Sequence, residues 1–182
     1  MVVYTDLIGK TAPTLTLPSS DGSTFTFTPG TQGAPVALFF YPKAGSYGCT
    51  KEVCQFRDAL VDQDSFKKSN IHIIGISPDP VDELKTFAEK QKVTYPMLSD
   101  QAGEARRTYG VGKALFGMSE ARVTFFIDEH GVVRDALDAT INFGAHVKFV
   151  SKWLDTVEHE HTGKSEPAPT VEVKAEDPTP SA

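Results

Sequence analysis

Val36-Ala-Leu-Phe-Phe-Tyr41-Pro42-Lys43-Ala44-Gly45-Ser46-Tyr47-Gly48-Cys49-Thr50-Lys51-Glu52-Val53-Cys54 decides how this chain is read, because it joins a strand pattern to a helix pattern and carries both cysteines. Residues 36–41 form an unbroken apolar run and read as a buried strand. Val53, Phe56 and Leu60 recur at the spacing of one helix face. Cys49 therefore falls where a strand passes through a small-residue loop into a helix. The first turn of a helix leaves backbone N–H groups without intrahelical partners, and its field favours an anion. A thiol placed there ionises readily. Two cysteines taken alone would read as inert buried thiols.

Outward from that run, residues 14–18 and 23–27 alternate apolar and polar around Asp21-Gly22, a hairpin signal. Residues 71–77 read as a central strand and 81–91 as a helix with Leu84, Phe87 and Ala88 on one face. A short extended segment at 96–98 and a short helix at 104–109 follow. Residues 122–128 and 132–137 form a second hairpin through Glu129-His130-Gly131. Residues 145–158 close as an amphipathic helix with Val147, Val150, Trp153, Leu154 and Val157 inward. Strands alternating with helices, plus hairpins, predict an α/β fold: a mixed sheet with helices on both faces.

A chain of 182 residues is long enough for one domain with a sizeable core. We expect that domain over 1–162. Residues 163–182 carry four prolines and no aromatic, and read as a disordered tail. The formal net charge of −6 argues against a nucleic-acid binder, because phosphate contacts need clustered Lys and Arg. Lys67-Lys68 and Arg106-Arg107 are only pairs and read as solvated helix faces. No apolar run approaches membrane-spanning length, and the first ten residues show no signal-peptide core. We expect a cytoplasmic protein, with the nucleus as another possible site. Two cysteines in an unsecreted chain suggest redox work rather than a disulfide scaffold.

The run around Cys49 closely resembles the active site of the peroxiredoxins. In that family a Pro, three residues, a Thr or Ser and two residues precede the reacting Cys; here those positions are Pro42, Ser46 and Cys49. A second Cys five residues further on marks the peroxiredoxin Q subfamily, also called bacterioferritin comigratory protein, and Cys54 fits. Gly75-Ile-Ser-Pro-Asp79, Pro96-Met-Leu-Ser-Asp100, Tyr109-Gly-Val111, Arg122-Val-Thr-Phe-Phe-Ile-Asp128 and His146-Val147 match in order. The resemblance spans roughly residues 7–157 and implies a thioredoxin-like fold. It also implies a thiol peroxidase for hydrogen peroxide and organic hydroperoxides, in antioxidant defence, re-reduced by thioredoxin or a similar dithiol.

Carried over position by position, the resemblance makes Cys49 the peroxidatic thiol and Cys54 the resolving thiol of an intramolecular disulfide. Ser46 would hydrogen-bond the peroxide, and the backbone N–H groups near Gly48 and Cys49 would hold one of its oxygens. Arg122 would fix the thiolate and polarise the substrate, and Pro42 would shield the sulfur. Ser46 stands where Thr is more usual, and Tyr47 where Pro is frequent. Acidity alone does not make a fast peroxidase. Lowering a thiol pKa from about 8.5 to about 5.5 raises the thiolate fraction at pH 7 roughly 30-fold. Intrinsic nucleophilicity falls roughly 20-fold over the same range. The site must therefore also stabilise charge moving onto the peroxide oxygens.

Geometry sets a further demand. Helical residues five apart have Cα atoms about 8.7 Å apart, whereas a disulfide needs them within about 7 Å. The helix must therefore unwind over about residues 48–56 after Cys49 is oxidised. No metal, flavin or haem is required. His72, His130 and His146 lack Cys or carboxylate partners at ligand spacing and read as structural. In His159-Glu-His161 the two imidazoles do not share a helix face. Lys43, Lys51, Glu52 and Arg57 read as solvated. We expect a monomer. A rival reading is a non-enzymatic redox sensor or partner-binding module using the same disulfide switch. A thiol–disulfide oxidoreductase is disfavoured, since those enzymes use Cys-x-x-Cys.

Overall fold

The computed structural model describes residues 3–163. The tail expected over 163–182 lies outside them, except for Gly163, the last residue of the final helix. The strand anticipated at the opening of the diagnostic run is β3 (Val36–Phe40), and all five of its residues are buried. Such a strand must be covered on both faces, and β3 is the middle strand of the sheet. It pairs in parallel with β4 (His72–Ser77) and antiparallel with β8 (Val123–Ile127). Beyond β4 lies β5 (Met97–Ser99), parallel; beyond β8 lies β9 (Val133–Asp138), antiparallel. The sheet order is β5-β4-β3-β8-β9, so it is mixed as predicted.

Alternation along β3 divides the core in two. Val36, Leu38 and Phe40 face a cluster with Leu15, Leu17 and Phe27 of the hairpin β1 (Leu15–Pro18) and β2 (Thr24–Phe27). The short helix α4 (Glu104–Thr108) adds Ala105 there. Ala37 and Phe39 face the other cluster, made by the helices α1 (Tyr47–Asp62), α2 (Asp64–Ser69), α3 (Val81–Gln91) and α5 (Phe143–Gly163). Among the described residues, α-helices thus lie on both faces: α1, α2, α3 and α5 on one and the short α4 on the other. Gly75 is required by this packing: a Cβ there would lie 2.8 Å from the Phe39 ring and 2.9 Å from the Met97 sulfur.

Helix α3 coincides with the predicted residues 81–91. Helix α5 is longer at both ends than the expected 145–158. Its Val147, Val150, Leu154 and Val157 are buried. Trp153 is only half-buried, stacked on Phe126 at 5.8 Å between ring centroids, with its indole N–H donating to Asp135 at 3.2 Å. Helix α2 and the small ribbon of β6 (Lys113–Ala114) and β7 (Ser119–Glu120) were not foreseen. Lys113, at the end of the glycine-bearing loop 110–113, forms an ion pair with Glu120 at 2.8 Å.

Register places the ends of the central strands together. Phe40 is paired with Ile76 on one side and with Val123 on the other. The loop after β3 is therefore flanked by the residues just after β4 and just before β8. Asp100, after β5, is buried and accepts the N–H groups of Ala105 and Arg106 at 3.1 and 3.0 Å, holding the first turn of α4. Replacing it with Ala leaves two buried donors unpaired, which costs roughly 1–3 kcal/mol. Asp100→Ala should therefore unfold at clearly lower urea concentration than the parent with an unchanged m-value; an unchanged midpoint would contradict this role.

Candidate active site

Cys49 sits in the first turn of α1, whose N-cap position is Ser46, and it is 1% exposed. Arg122 precedes β8 in sequence by one residue, and the register brings it beside the loop. Its Nη2 donates to the Cys49 sulfur at 3.2 Å, across 73 residues of chain. The same guanidinium donates through Nη1 to a carboxylate oxygen of Glu52 and through Nε to the Thr140 carbonyl at 3.4 Å. Its plane lies 4.9 Å from the Phe143 ring centroid, a cation–π contact that also shields it from water. Gly48 permits this closeness, because a Cβ there would fall 2.3 Å from the Phe143 ring. Tyr47 is exposed and meets Phe143 edge-on at 6.4 Å, so the two rings wall one side of the site.

A buried layer supports Arg122 from behind. Glu52 is fully buried, correcting the expectation that it is solvated. It lies on the helix face of Cys49, Val53, Phe56 and Ala59, and the spacing Cys49, Glu52, Val53, Phe56 carried that signal. Burial pushes the Glu52 carboxyl up from 4.5 to about 7, against the opposing pull of Arg122. His146, on the first turns of α5, is buried and 3.5 Å from Glu52 through Nδ1. It therefore has the carboxylate partner that spacing along the chain did not reveal. Its Nδ1 is also 2.8 Å from the Thr124 hydroxyl, and its Nε2 is 3.0 Å from the Ala139 carbonyl. Burial, with the charge of Arg122 acting the same way, pushes His146 down from 6.5 to about 4, although the Ala139 bond opposes this.

The loop itself is pinned by residues of the other matched motifs. Asp79 accepts the Ala44 N–H at 2.6 Å and the Ser77 hydroxyl at 2.9 Å, while its carbonyl accepts the Ser99 hydroxyl at 2.7 Å. Arg106 is likewise buried rather than solvated, and donates to the Tyr41 carbonyl at 2.7 Å and the Ala121 carbonyl at 3.3 Å. It ties together the residues that follow β3 and precede β8. Arg107, the other member of that pair, is exposed as read.

The remaining predicted positions lie around this centre. Pro42 is half-buried in the loop. The hydroxyl of Ser46 is exposed and donates to the Lys43 carbonyl at 2.9 Å, so it must rotate before it can donate to a bound peroxide. Cys54 is half-buried one turn further along α1, and its thiol faces the Gln91 side-chain oxygen at 3.4 Å. Arg57, half-buried rather than solvated, caps the end of α3 through the Gln91 carbonyl. Both thiols are free, and the helix between them is unbroken. Among the described residues, no group of three or more His, Cys, Asp and Glu is placed to hold a metal ion.

A buried thiol at a helix N-terminus, bonded to a fixed guanidinium, is an arrangement for holding sulfur as an anion. A family model described as AhpC/TSA matches residues 8–136. The chain belongs to the AhpC/TSA family, in its peroxiredoxin Q branch. It is 35% identical to chloroplastic peroxiredoxin Q of Suaeda salsa over 149 residues, 82% of this chain and 68% of that one. Among solved structures, peroxidoxin BcpB of Mycobacterium tuberculosis aligns with a TM-score of 0.74 at 35% identity, covering 82% of this chain and 97% of its own. Bacterioferritin comigratory protein of Xanthomonas campestris, described with an alkyl peroxide reduction activity, aligns with a TM-score of 0.69 at 28% identity, over 79% and 91%. The thioredoxin-like fold and the peroxidase class expected from the sequence are therefore those of this chain.

The buried pair has a signature in stability. A carboxyl whose pKa is raised on folding stabilises fully below 4.5, and that contribution fades as pH rises through about 7. His146 acts oppositely: its contribution is present above 6.5 and fades as pH falls towards about 4. Between about 4.5 and 6.5 the two slopes cancel. Glu52→Gln removes the first, so its stability relative to the parent should climb as pH rises from about 4.5 to about 7. Urea titrations of both proteins across that range provide the check; parallel curves would show that Glu52 does not hold a proton in the fold.

Proposed function

We propose that Cys49 is the peroxidatic thiol, Cys54 the resolving thiol, and a thioredoxin-like dithiol the reductant, with hydrogen peroxide and organic hydroperoxides as substrates. The observation that carries this reading is the Arg122 Nη2–Cys49 sulfur bond in a buried site at the head of α1. The thiolate attacks one peroxide oxygen, an S–O bond forms and the O–O bond breaks. The leaving oxygen takes a proton, and Cys49 becomes a sulfenic acid. Free N–H groups of the first helical turn and the Arg122 guanidinium stabilise the charge that develops on the peroxide oxygens. Ser46, once its hydroxyl turns from Lys43, supplies a further donor. Pro42 keeps water off the sulfur.

Resolution then requires α1 to open. The sulfenic acid must meet Cys54, which the regular helix keeps too far away. Opening has to break the Cys54–Gln91 contact and the bond from the Tyr95 hydroxyl to the Val53 carbonyl, 2.8 Å long. The resulting disulfide joins residues of one chain and is exposed, which suits exchange with a dithiol partner. An intramolecular resolving thiol needs no second subunit, consistent with a monomer.

Stopped-flow oxidation of the fully reduced protein by hydrogen peroxide tests the assignment. The parent should react orders of magnitude faster than a free thiol, Cys49→Ser should not react, and Cys54→Ser should stop at the sulfenic acid. A parent rate equal to that of a simple thiol would sink the peroxidase reading. Disulfide formation in the parent should be accompanied by faster amide exchange over residues 48–56; full protection there after oxidation would refute the unwinding step.

A further inference from the structure

Three groups behind Arg122 have a hydrogen-bonding problem that the peroxidase step leaves unused. The Nε2 of His146 faces a carbonyl, which can only accept, so Nε2 carries a hydrogen. In a neutral imidazole Nδ1 is then a bare acceptor with a single lone pair, 2.8 Å from the Thr124 hydroxyl. The Glu52 Oε1 faces that same Nδ1 at 3.5 Å and has no hydrogen-bond partner, although it is completely buried. An ionised Glu52 beside a neutral His146 would set two lone pairs against each other in a water-free layer, a costly arrangement. One proton belongs between them.

The charge count around Arg122 says what that proton does. Glu52 is faced by Cys49 one turn earlier on α1, by Tyr41 after β3, by Tyr95 before β5, by Arg122 from the β8 side, and by His146 from α5. Both tyrosines are held neutral by burial. Arg106 also acts on Cys49 electrostatically, but it is balanced by Glu120 and Asp100. A Cys49 thiolate and a Glu52 carboxylate would therefore be two anions sharing the single charge of Arg122.

We propose that Glu52 and His146 are positioning residues that share one proton and thereby assign the charge of Arg122 to the Cys49 sulfur in the reduced protein. When the Cys49 S–H bond ionises, its proton is kept in the pocket on the Glu52 carboxyl, hydrogen-bonded to Nδ1 of His146. When the sulfur is oxidised by two electrons to the neutral sulfenic acid and the peroxide is reduced by two, Arg122 turns its charge to Glu52. Glu52 then releases a proton, offsetting the one taken up by the leaving oxygen. This rests on Cys49 as the reacting thiol. The proton-sharing itself is a property of the reduced protein and can be read without peroxide.

The test is a spectrophotometric pH titration of the thiolate absorbance, with all variants on a Cys54→Ser background. Glu52→Gln keeps this position neutral, the state the proposal gives Glu52 beside the thiolate. The thiolate-to-thiol ratio of Cys49 at fixed pH should therefore hold or rise. His146→Asn offers an N–H where the imidazole offers a bare nitrogen, so Glu52 ionises more readily and the ratio should fall. A ratio held or raised in Glu52→Gln with a fall of roughly tenfold in His146→Asn, the effect of one neighbouring charge, supports the proposal, because a merely loosened pocket would lower both. A fall in both variants, or no fall in His146→Asn, overturns it. Infrared difference spectra of the protein with both residues intact, reduced against peroxide-oxidised, give a reading independent of how the variants fold. A protonated-carboxyl band present in the reduced state and lost on oxidation supports the shared proton; its absence from the reduced state overturns it. Failure to oxidise at all would instead count against the peroxidase reading.

Discussion

One buried guanidinium governs the site. Arg122 is 3% exposed and divides its donors between a sulfur, a carboxylate and a carbonyl. A charge taken out of water is tolerable only when it is paired and bonded on every side, and removal of one partner leaves the rest costly. Cys49, Glu52, Thr140, Phe143 and, one step further back, His146 and Thr124 are best understood as the shell that makes this cation affordable in the core. That shell also makes it useful, because a guanidinium with fixed partners offers its charge to the sulfur without having to reorganise.

The sheet exists, from the standpoint of that cation, to set a register. Arg122 and Cys49 are separated by 73 residues, and no local preference brings them together. Antiparallel pairing of Phe40 with Val123 does. A slip of one residue would send Arg122 to the opposite face of the sheet and would exchange the residues around which the two core clusters pack. Parallel pairing with β4 fixes the other flank, where Asp79 ties down the Ala44 N–H. Arg106 spans both flanks through the carbonyls of Tyr41 and Ala121. The loop that carries Pro42 and Ser46 is thus held on two sides through its backbone N–H and carbonyl groups.

Much of this was legible in the sequence, and the parts that were not have a common cause. Periodicity located α3 to the residue, and the turn signals at Asp21-Gly22 and Gly131 located both hairpins. Short elements such as α2 and the β6–β7 ribbon lack enough residues to show a period. The larger misreadings were Glu52 and Arg106, both assigned to solvent because charged residues are seldom buried. Glu52 obeys the helical spacing of its apolar neighbours, so position argued for burial while chemical type argued against it. Position wins when a partner of opposite charge waits in the core, and that partner came from 70 residues away. His146 escaped for the same reason: its carboxylate neighbour is distant in sequence and near in space.

The arrangement around Cys49 also bears on the proposed opening of its helix. The first turns of α1 are attached to the core by Cys49 and Glu52, both through Arg122, and by Val53 through Tyr95. Each attachment has a different dependence on the state of the sulfur. Conversion of a thiolate to a neutral sulfenic acid removes one charge-assisted bond and leaves the apolar packing of Val53 and Phe56 unchanged. What remains is an ion pair between Arg122 and Glu52, stronger than before because the competing anion is gone. The proposed opening of the helix therefore works against a carboxylate that oxidation has just strengthened. On this account Glu52 has two opposed effects, ceding the charge of Arg122 to the sulfur before the reaction and delaying the meeting with Cys54 after it. A helix that opened too easily would expose the thiolate to water, and one that held too firmly would leave the sulfenic acid open to further oxidation. On the proposed mechanism the balance between these is set inside α1 itself, by the one acidic residue on its buried face.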